Sequence, residues 1–348
     1  MTAPPPNLKS ALAAVTTMYT NDVGGRLKKI EDSFDAAPVS PESPFVVRID
    51  GVAFSTFTHG IVKPFDFRLK DALVNTTLDL AAKFQPLLAF HHSDEISLLY
   101  PAANPLPSDT YDDNGVLVTP DTNPPAEDPS KKRRKVNTKV HMYSGRIQKL
   151  ASVISSYAAA RFNYHLATYD WSDLSDKVRA RMMGHEAYFD GRVVPVPDLK
   201  TAMECIYWRS NFDGFRNSVS GIAQHHFTHK ELHSKNLTHL LDMLATKNVD
   251  VFETYGPKYL FGTWIKKETY HITQRELDLP PEALALAKQK GSLDTPIVRK
   301  RYRAGCFNWA EYTEEERLQF VASKFWPEGE RAPPKGEITA GSLRKESE

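Results

Sequence analysis

The residues best equipped for chemistry are two adjacent carboxylates, Asp94 and Glu95, held between apolar runs in Leu88-Ala89-Phe90-His91-His92-Ser93-Asp94-Glu95-Ile96-Ser97-Leu98-Leu99. A run–turn–run of this kind predicts a β-hairpin with the acids at its tip. Upstream, Phe45-Val46-Val47-Arg48-Ile49-Asp50-Gly51 is a β-rich run that ends on an acid and a glycine. If the two runs are neighbours in one sheet, Asp50 and Asp94 meet at one edge. Carboxylates converging there make a site for hard divalent cations, which take oxygen ligands. The plainer alternative is an ordinary turn at Asp50-Gly51 and a solvated hairpin tip, since acids are common in turns.

Those acids need strands to carry them and helices to hold the strands. Asp66 stands where it can cap a helix on which Leu69, Leu73, Thr76, Leu80 and Phe84 recur at helical spacing. A second helix is predicted from about Ser144 to His165, with Ile147, Leu150, Ala151, Ile154 and Ala158 as its apolar stripe and Arg146 and Lys149 sharing a face. Tyr188 to Pro197 reads as a turn and a strand. The resulting order, strand, helix, strand, strand, helix, strand, is the split β-α-β-β-α-β arrangement of ferredoxin-like domains. It predicts an α+β fold, an antiparallel sheet with helices on one face. In that topology Asp50 and Asp94 converge, which favours a site over a pair of turns. From Asp198 the pattern is mainly helical, with a strand-like run at 259–267 and a last helix capped by Thr313.

Bulk properties restrict the partners. The formal net charge of the 348 residues is +1, so any nucleic-acid surface must be a local patch. Two distant cysteines, Cys205 and Cys306, form no metal-ligand spacing and fit a reducing compartment. No apolar run is long enough to span a membrane, so the reading is intracellular, with no membrane partner. Residues 101–137 are rich in Pro, Asp, Asn and Ser and end in the basic run Lys131-Lys132-Arg133-Arg134-Lys135-Val136. This stretch is expected to be a disordered insertion, because it has little to bury. Its basic run reads either as a nuclear signal or as a solvated charge cluster. Cytoplasm and nucleus stay open, and the N-terminal twenty residues leave a mitochondrial address open too.

Five short motifs stand in order: RIDG at 48–51, KPFD at 63–66, HSDEIS at 92–97, GRIQK at 145–149 and FDGRVV at 189–194. Together they resemble the tRNA-His guanylyltransferase superfamily of 3′-to-5′ RNA polymerases. GGRLKKIE at 24–31 and DGFRNSVSGIAQHHFTHKELHSKN at 213–236 are similar to its guanylyltransferase-like branch. The dedicated eukaryotic enzymes carry His-Ile-Asn-Asn near that position. This chain has Phe215-Arg216-Asn217-Ser218, with Phe215 where the histidine aligns.

The resemblance implies a polymerase-like palm over residues 45–200, interrupted by the insertion. Residues 1–44 form a lead and helix, 201–326 a helical, fingers-like part, and 327–348 a disordered tail. It implies Asp50, Asp94 and Glu95 as catalytic acids, with two Mg2+ ions on Asp50, Asp94 and the Gly51 carbonyl. Lys63, Ser93, Arg146 and Lys149 correspond to residues that hold nucleotide triphosphates, although Gln148 replaces a usual serine. Arg216, Asn217, Ser218, Lys230 and Lys235 are assigned to tRNA or nucleotide phosphate. The implied substrates are tRNA, ATP and GTP or other nucleoside triphosphates, and the implied assembly is a homodimer or homotetramer. The implied reaction is template-directed 3′-to-5′ addition to truncated tRNA 5′ ends through ATP-dependent adenylylation. Alternatives are addition of a single 5′ guanosine, a palm enzyme acting on a free nucleotide, and a non-catalytic tRNA-binding protein.

Overall fold

A computed structural model of the chain describes residues 26–30, 33, 36–118, 139–277 and 279–336. Strand β1 (Phe45–Gly51) is apolar on both sides: Val47 and Ile49 enter one core and Val46 another. Successive side chains of a strand point to opposite faces, so such a strand must be covered twice. It pairs antiparallel with β3 (Glu95–Tyr100) on one side and β4 (Phe189–Pro195) on the other, and β2 (Leu88–His92) pairs with β3. The order β4-β1-β3-β2 is the ferredoxin-like arrangement expected from the strand and helix order.

Helix α1 (Phe67–Phe84) starts where the Asp66 carboxylate accepts the Arg68 N–H at 3.0 Å. It buries Leu73, Thr76, Leu80 and Phe84 against the sheet. Helix α2 (Ile147–Leu166) lies beside it and buries Leu150, Ile154, Ala158 and Phe162. Each fully buried Leu, Ile or Phe contributes about 1.5–3 kcal/mol, which makes this face the main source of cohesion. The second helix begins later than expected because Tyr143 and Ser144 are left-handed, at φ 53° and 55°, and Arg146 is extended.

Beyond β4 come α3 (Leu199–Tyr207), α4 (Phe215–His226), α5 (Leu237–Ala245) and α6 (Glu314–Ala322). Strands β5 (Thr263–Ile272) and β6 (Ile297–Gly305) lie between the last two and extend the sheet past β2 to six strands. The C-terminal part is therefore less purely helical than its composition implies. It also covers the sheet's second face: Leu199, Ala202, Met203 and Ile206 join a ring cluster of Trp264, Phe307, Trp309, Phe320 and Trp326. Trp264 and Trp309 are core residues, whereas Trp208 stands half exposed. Helices α4 and α5 form a separate small core with Val219, Ile222, Leu240 and Leu244.

Two expectations of disorder need correction. Residues 101–118 pack on the domain: the Asp109 carboxylate accepts the Leu199 N–H at the start of α3, at 3.1 Å, and Tyr111 packs on the second-face core. The remainder of the insertion, including 131–136, lies outside the described residues. Residues 327–336 fold back as well, with the Trp326 indole N–H donating to the Pro333 carbonyl at 2.8 Å. No helix of the structure is long and apolar enough to cross a membrane, among the described residues.

Candidate active site

Strand β1 delivers Asp50 at its end, directly opposite Glu95 of β3 and Asp190 of β4. Alternation along the strand puts Arg48 and Asp50 on the second face, the face to which Val46 also points. A two-residue tip, Ser93-Asp94, joins β2 to β3, with Ser93 at φ 52° as such tight turns require. The Gly51 N–H donates to the Asp94 carbonyl at 3.2 Å and ties the two acids' backbones together. A side chain at Gly51 would place Cβ 2.2 Å from the Phe54 ring, so glycine is required there by close approach.

Glu95 is held across the sheet and not toward Asp94. Its Oε2 lies 3.1 Å from Arg209 Nη1 and 3.7 Å from Arg48 Nε, and Arg48 Nη2 lies 4.0 Å from Asp50 Oδ2. Arg209 also pairs with Asp213 at 3.4 Å. Arg209 belongs to a π-helical turn, Trp208–Gly214, between α3 and α4, a distortion common at functional sites. Burial pushes the Glu95 carboxyl up to about 7; Arg209 and Arg48 oppose that, and Asp50 and Asp213 add to it. Burial, with the Asp50 charge, also raises Asp94 above the usual carboxylate range, against hydrogen bonds from its own backbone and Ser93.

The donor set fits a hard cation. Glu95 Oε1 and Asp190 Oδ1 are buried without hydrogen-bond partners on either side of Asp50. Among the described residues no three His, Cys, Asp or Glu side chains form a ready metal cluster. A cation at this edge would therefore be held by Asp50 and Asp94 and completed by water and substrate oxygens, the usual condition of Mg2+.

Asp94 also lines a cavity of about 370 Å3 between the hairpin, α1 and α4. Lys63, Ser93, Asn217 and Ser218 line it, as the resemblance implies for Lys63 and Ser93, and so do Lys70, Lys258 and Tyr259. Three lysines face one another across this space, and one of its two acids, Asp66, is already paired with Arg68 at 2.8 Å. That balance suits a polyanion. Lys70 Nζ donates to Thr263 Oγ1 at 2.7 Å and lies 3.5 Å from His91 Nε2; burial lowers its pKa to about 8. KPFD owes its shape to Asp66, which caps α1 and pairs with Arg68, itself stacked on Trp171 at 4.1 Å.

Several assigned residues fall elsewhere. Arg146 and Lys149 start α2, where the Gly145 carbonyl accepts the Val39 N–H, at the end of the sheet where β1 begins. From Phe45 to Asp50 the strand rises roughly 16 Å, so neither cation reaches Asp94 in the same chain. Ser218 is buried, its hydroxyl donating to the Tyr259 carbonyl at 2.7 Å and lying 3.0 Å from His92 Nε2, so it clamps β2 to α4. Arg216 is exposed and pairs with Asp213 at 2.7 Å, and Lys230 and Lys235 are exposed outside the cavity. The sequence reading missed Arg209, Lys70 and Lys258. Arg209 stands four residues before Asp213, the one local signal that could have marked it.

The profile of tRNAHis guanylyltransferase (Thg1) matches residues 24–197, which span β1 to β4 with α1, α2 and both acids. The chain belongs to the tRNAHis guanylyltransferase family. It is accordingly a nucleotidyltransferase. An uncharacterized protein of Acanthamoeba polyphaga mimivirus is 29% identical over 262 residues, 74% of this chain and 81% of that protein. A bacterial tRNA(His) guanylyltransferase-like protein, solved in complex with ATP, is 29% identical with a TM-score of 0.53, covering 71% of this chain and 87% of its own. A structure of such a bacterial protein with GTP has the same fold at 23% identity, with a TM-score of 0.52, covering 87% and 99%.

Proposed function

We propose that this guanylyltransferase-family protein adds nucleotides in the 3′-to-5′ direction to tRNA 5′ ends, directed by the opposite strand, with Mg2+, ATP and GTP or other nucleoside triphosphates. The observation that carries the reading is the cavity in which Lys63, Lys70 and Lys258 surround a space that opens on Asp94, beside Asp50. ATP first gives its AMP to a tRNA 5′-monophosphate and pyrophosphate leaves. The 3′-hydroxyl of the incoming nucleotide then attacks that phosphorus and AMP leaves.

The protein's part is positional and electrostatic. The lysines orient the triphosphate and offset charge as it develops, and Asp94 and Asp50 fix the reacting end at the sheet's edge. Magnesium bound at those acids would stabilise charge on the attacking and leaving oxygens. Glu95, locked by Arg209 and Arg48, holds the strand end that carries Asp50 opposite the hairpin. Phe215-Arg216-Asn217-Ser218 in place of His-Ile-Asn-Asn supports templated addition over one obligatory guanosine. A dimer or tetramer is part of this reading, because Arg146 and Lys149 lie too far from Asp94 to serve a nucleotide in their own chain. The reading is tested with radiolabelled ATP and a 5′-monophosphorylated tRNA lacking its first nucleotide. AMP linked to the tRNA 5′ end, with pyrophosphate released, supports it; no adenylylated tRNA at saturating ATP and magnesium overturns it.

A further inference from the structure

The HSDEIS motif gives Ser93, Asp94 and Glu95 to the site and leaves its histidine without a task. His92 is the last residue of β2, buried and paired with Glu95 across the hairpin tip. Separate segments of the chain meet on its ring. Ser218 of α4 lies 3.0 Å from Nε2, and the Tyr259 carbonyl lies 3.3 Å from it. Gly214 ends the π-helical turn so close by that a Cβ there would stand 3.0 Å from the imidazole Cγ and 2.6 Å from the Arg209 carbonyl. That turn carries Arg209, which pins Glu95.

The number of protons fixes the direction of these bonds. A serine hydroxyl has one proton, and Ser218 donates its own to the Tyr259 carbonyl at 2.7 Å. Ser218 and Tyr259 then turn lone pairs toward Nε2, so Nε2 carries a proton and donates it. A ring with its proton on Nδ1 would leave Nε2, the Ser218 oxygen and the Tyr259 carbonyl sharing one proton, which burial penalises. The same carbonyl belongs to a segment that lines the cavity. Lys258 precedes Tyr259, and the Tyr259 ring stacks at 4.7 Å on Phe65, two residues after Lys63. One side of His92 thus leads to two of the cavity's lysines and the other, two residues on, to Asp94.

We infer that His92 is a positioning residue: its Nε2–H, shared between Ser218 and the Tyr259 carbonyl, sets the hairpin tip against the lysines, so that a triphosphate held by Lys63 and Lys258 presents its reacting phosphorus to Asp94. The inference rests on the proposed reaction. Binding a triphosphate needs the lysines, whereas transfer needs lysines and acid in register. A misplacement of about 1 Å can cost a hundredfold in rate. Loosening this joint therefore slows transfer and spares ATP affinity. A histidine that merely filled space would be replaceable by any side chain of similar bulk, so the demand for a donor separates the two roles.

The test has two arms, both on the full chain. In the first, single-turnover transfer of AMP from labelled ATP to a 5′-monophosphorylated tRNA is measured beside ATP affinity by equilibrium dialysis. His92→Leu keeps bulk and removes the donor, and His92→Gln offers an amide N–H to the same acceptors. The expected rate loss is about a hundredfold in His92→Leu, with ATP affinity changed by less than about threefold, and within about fivefold in His92→Gln. Ser218→Ala, which removes one acceptor and leaves the ring, should show the same split with a rate loss of about 3–10-fold. Equal rates in the leucine and glutamine variants overturn the inference, as does ATP affinity that falls in step with the rate. Should His92→Leu not fold, Ser218→Ala decides, and an unchanged rate there overturns it. The second arm needs no reaction: in protein labelled with 15N-histidine, long-range 1H–15N correlation should show His92, identified by its absence from His92→Gln, with its proton on Nε2. A proton on Nδ1 alone overturns the inference. If the unaltered protein transfers no AMP, the proposed function fails and takes the positioning role with it, and the Nε2–H signal distinguishes that failure from a joint wrongly drawn.

Discussion

Asp50 and Glu95 face each other across the β1–β3 ladder, and Arg209 reaches 3.1 Å from Glu95 out of a π-helical turn. One acid is thus left half exposed at the sheet's edge while its partner is pinned by two arginines. Under the proposed function the division of labour follows: Asp50, with Asp94 at the hairpin tip, would meet the substrate, and Glu95 would fix the geometry.

Replacing Asp50 or Asp94 by asparagine keeps shape and removes charge. Each variant should lose at least about a thousandfold in single-turnover nucleotide addition, the loss of several kcal/mol of charge stabilisation. Circular dichroism should be unchanged, since neither carboxylate belongs to a core. Activity within tenfold of the unaltered protein in both variants would remove these acids from the reaction.

Arg209→Gln separates positioning from chemistry. Asp213 keeps Arg216 and Glu95 keeps Arg48, so the fold should survive. The rate of addition should fall by about 10–100-fold, typical of a residue that orients a ligand-bearing group, with the KM for ATP changed less than threefold. Arg209→Lys should restore part of the rate. A purely structural role would instead lower thermal stability and raise KM alongside the rate.

Lys70 predicts how nucleotide binding depends on pH. Its amine is cationic below about pH 8 and neutral above, so its attraction for a triphosphate fades as pH rises through that value. ATP affinity, measured by equilibrium dialysis, should weaken between pH 7 and 9. Lys70→Met should bind about tenfold more weakly at pH 7 and lose most of that pH dependence. A variant with unaltered affinity at pH 7 would exclude Lys70 from the nucleotide site.

Lys266 predicts how stability depends on pH. It is buried, donates to the Leu87 and Val321 carbonyls at 3.2 Å, and burial lowers its pKa to about 7. Above that value the unfolded chain, with an ordinary lysine, holds more protons than the folded one. Stability therefore rises with pH from about 7 toward 10.5. Relative to Lys266→Met, the unaltered protein should gain up to about 1.4 kcal/mol per pH unit between pH 7 and 9 in denaturant titrations. Parallel pH profiles would mean that Lys266 stays charged in the folded state.

Much of this site was legible because its signals are local. Periodicity located α1 and α2, two apolar runs flanking the acids located the hairpin, and together they brought Asp50 and Asp94 to one edge. The same periodicity put Arg146 and Lys149 on one helix face but carries no information about which end of the sheet that helix starts from. Arg209 and Lys258 come from segments more than a hundred residues away from Asp94, and only tertiary packing brings them near it. Composition misread 101–118 because a few scattered contacts, from Asn104, Asp109, Tyr111 and Asp113, tie a polar segment down without an apolar run to announce it. Only the start of β5 was legible, as the strand-like run at 259–267, and β6 escaped notice because its arginines and lysine leave a weak apolar signal on either face.

The central claim, templated 3′-to-5′ addition, is tested most directly with 5′-monophosphorylated tRNAs lacking their first nucleotide and differing only in the opposing base. Each is incubated with ATP, magnesium and one labelled nucleotide at a time, with Asp94→Ala as control. The account predicts that the nucleotide added is the complement of the opposing base in every case, and that the control adds none. Guanosine added whatever the opposing base, or no addition to any of these ends, would contradict it.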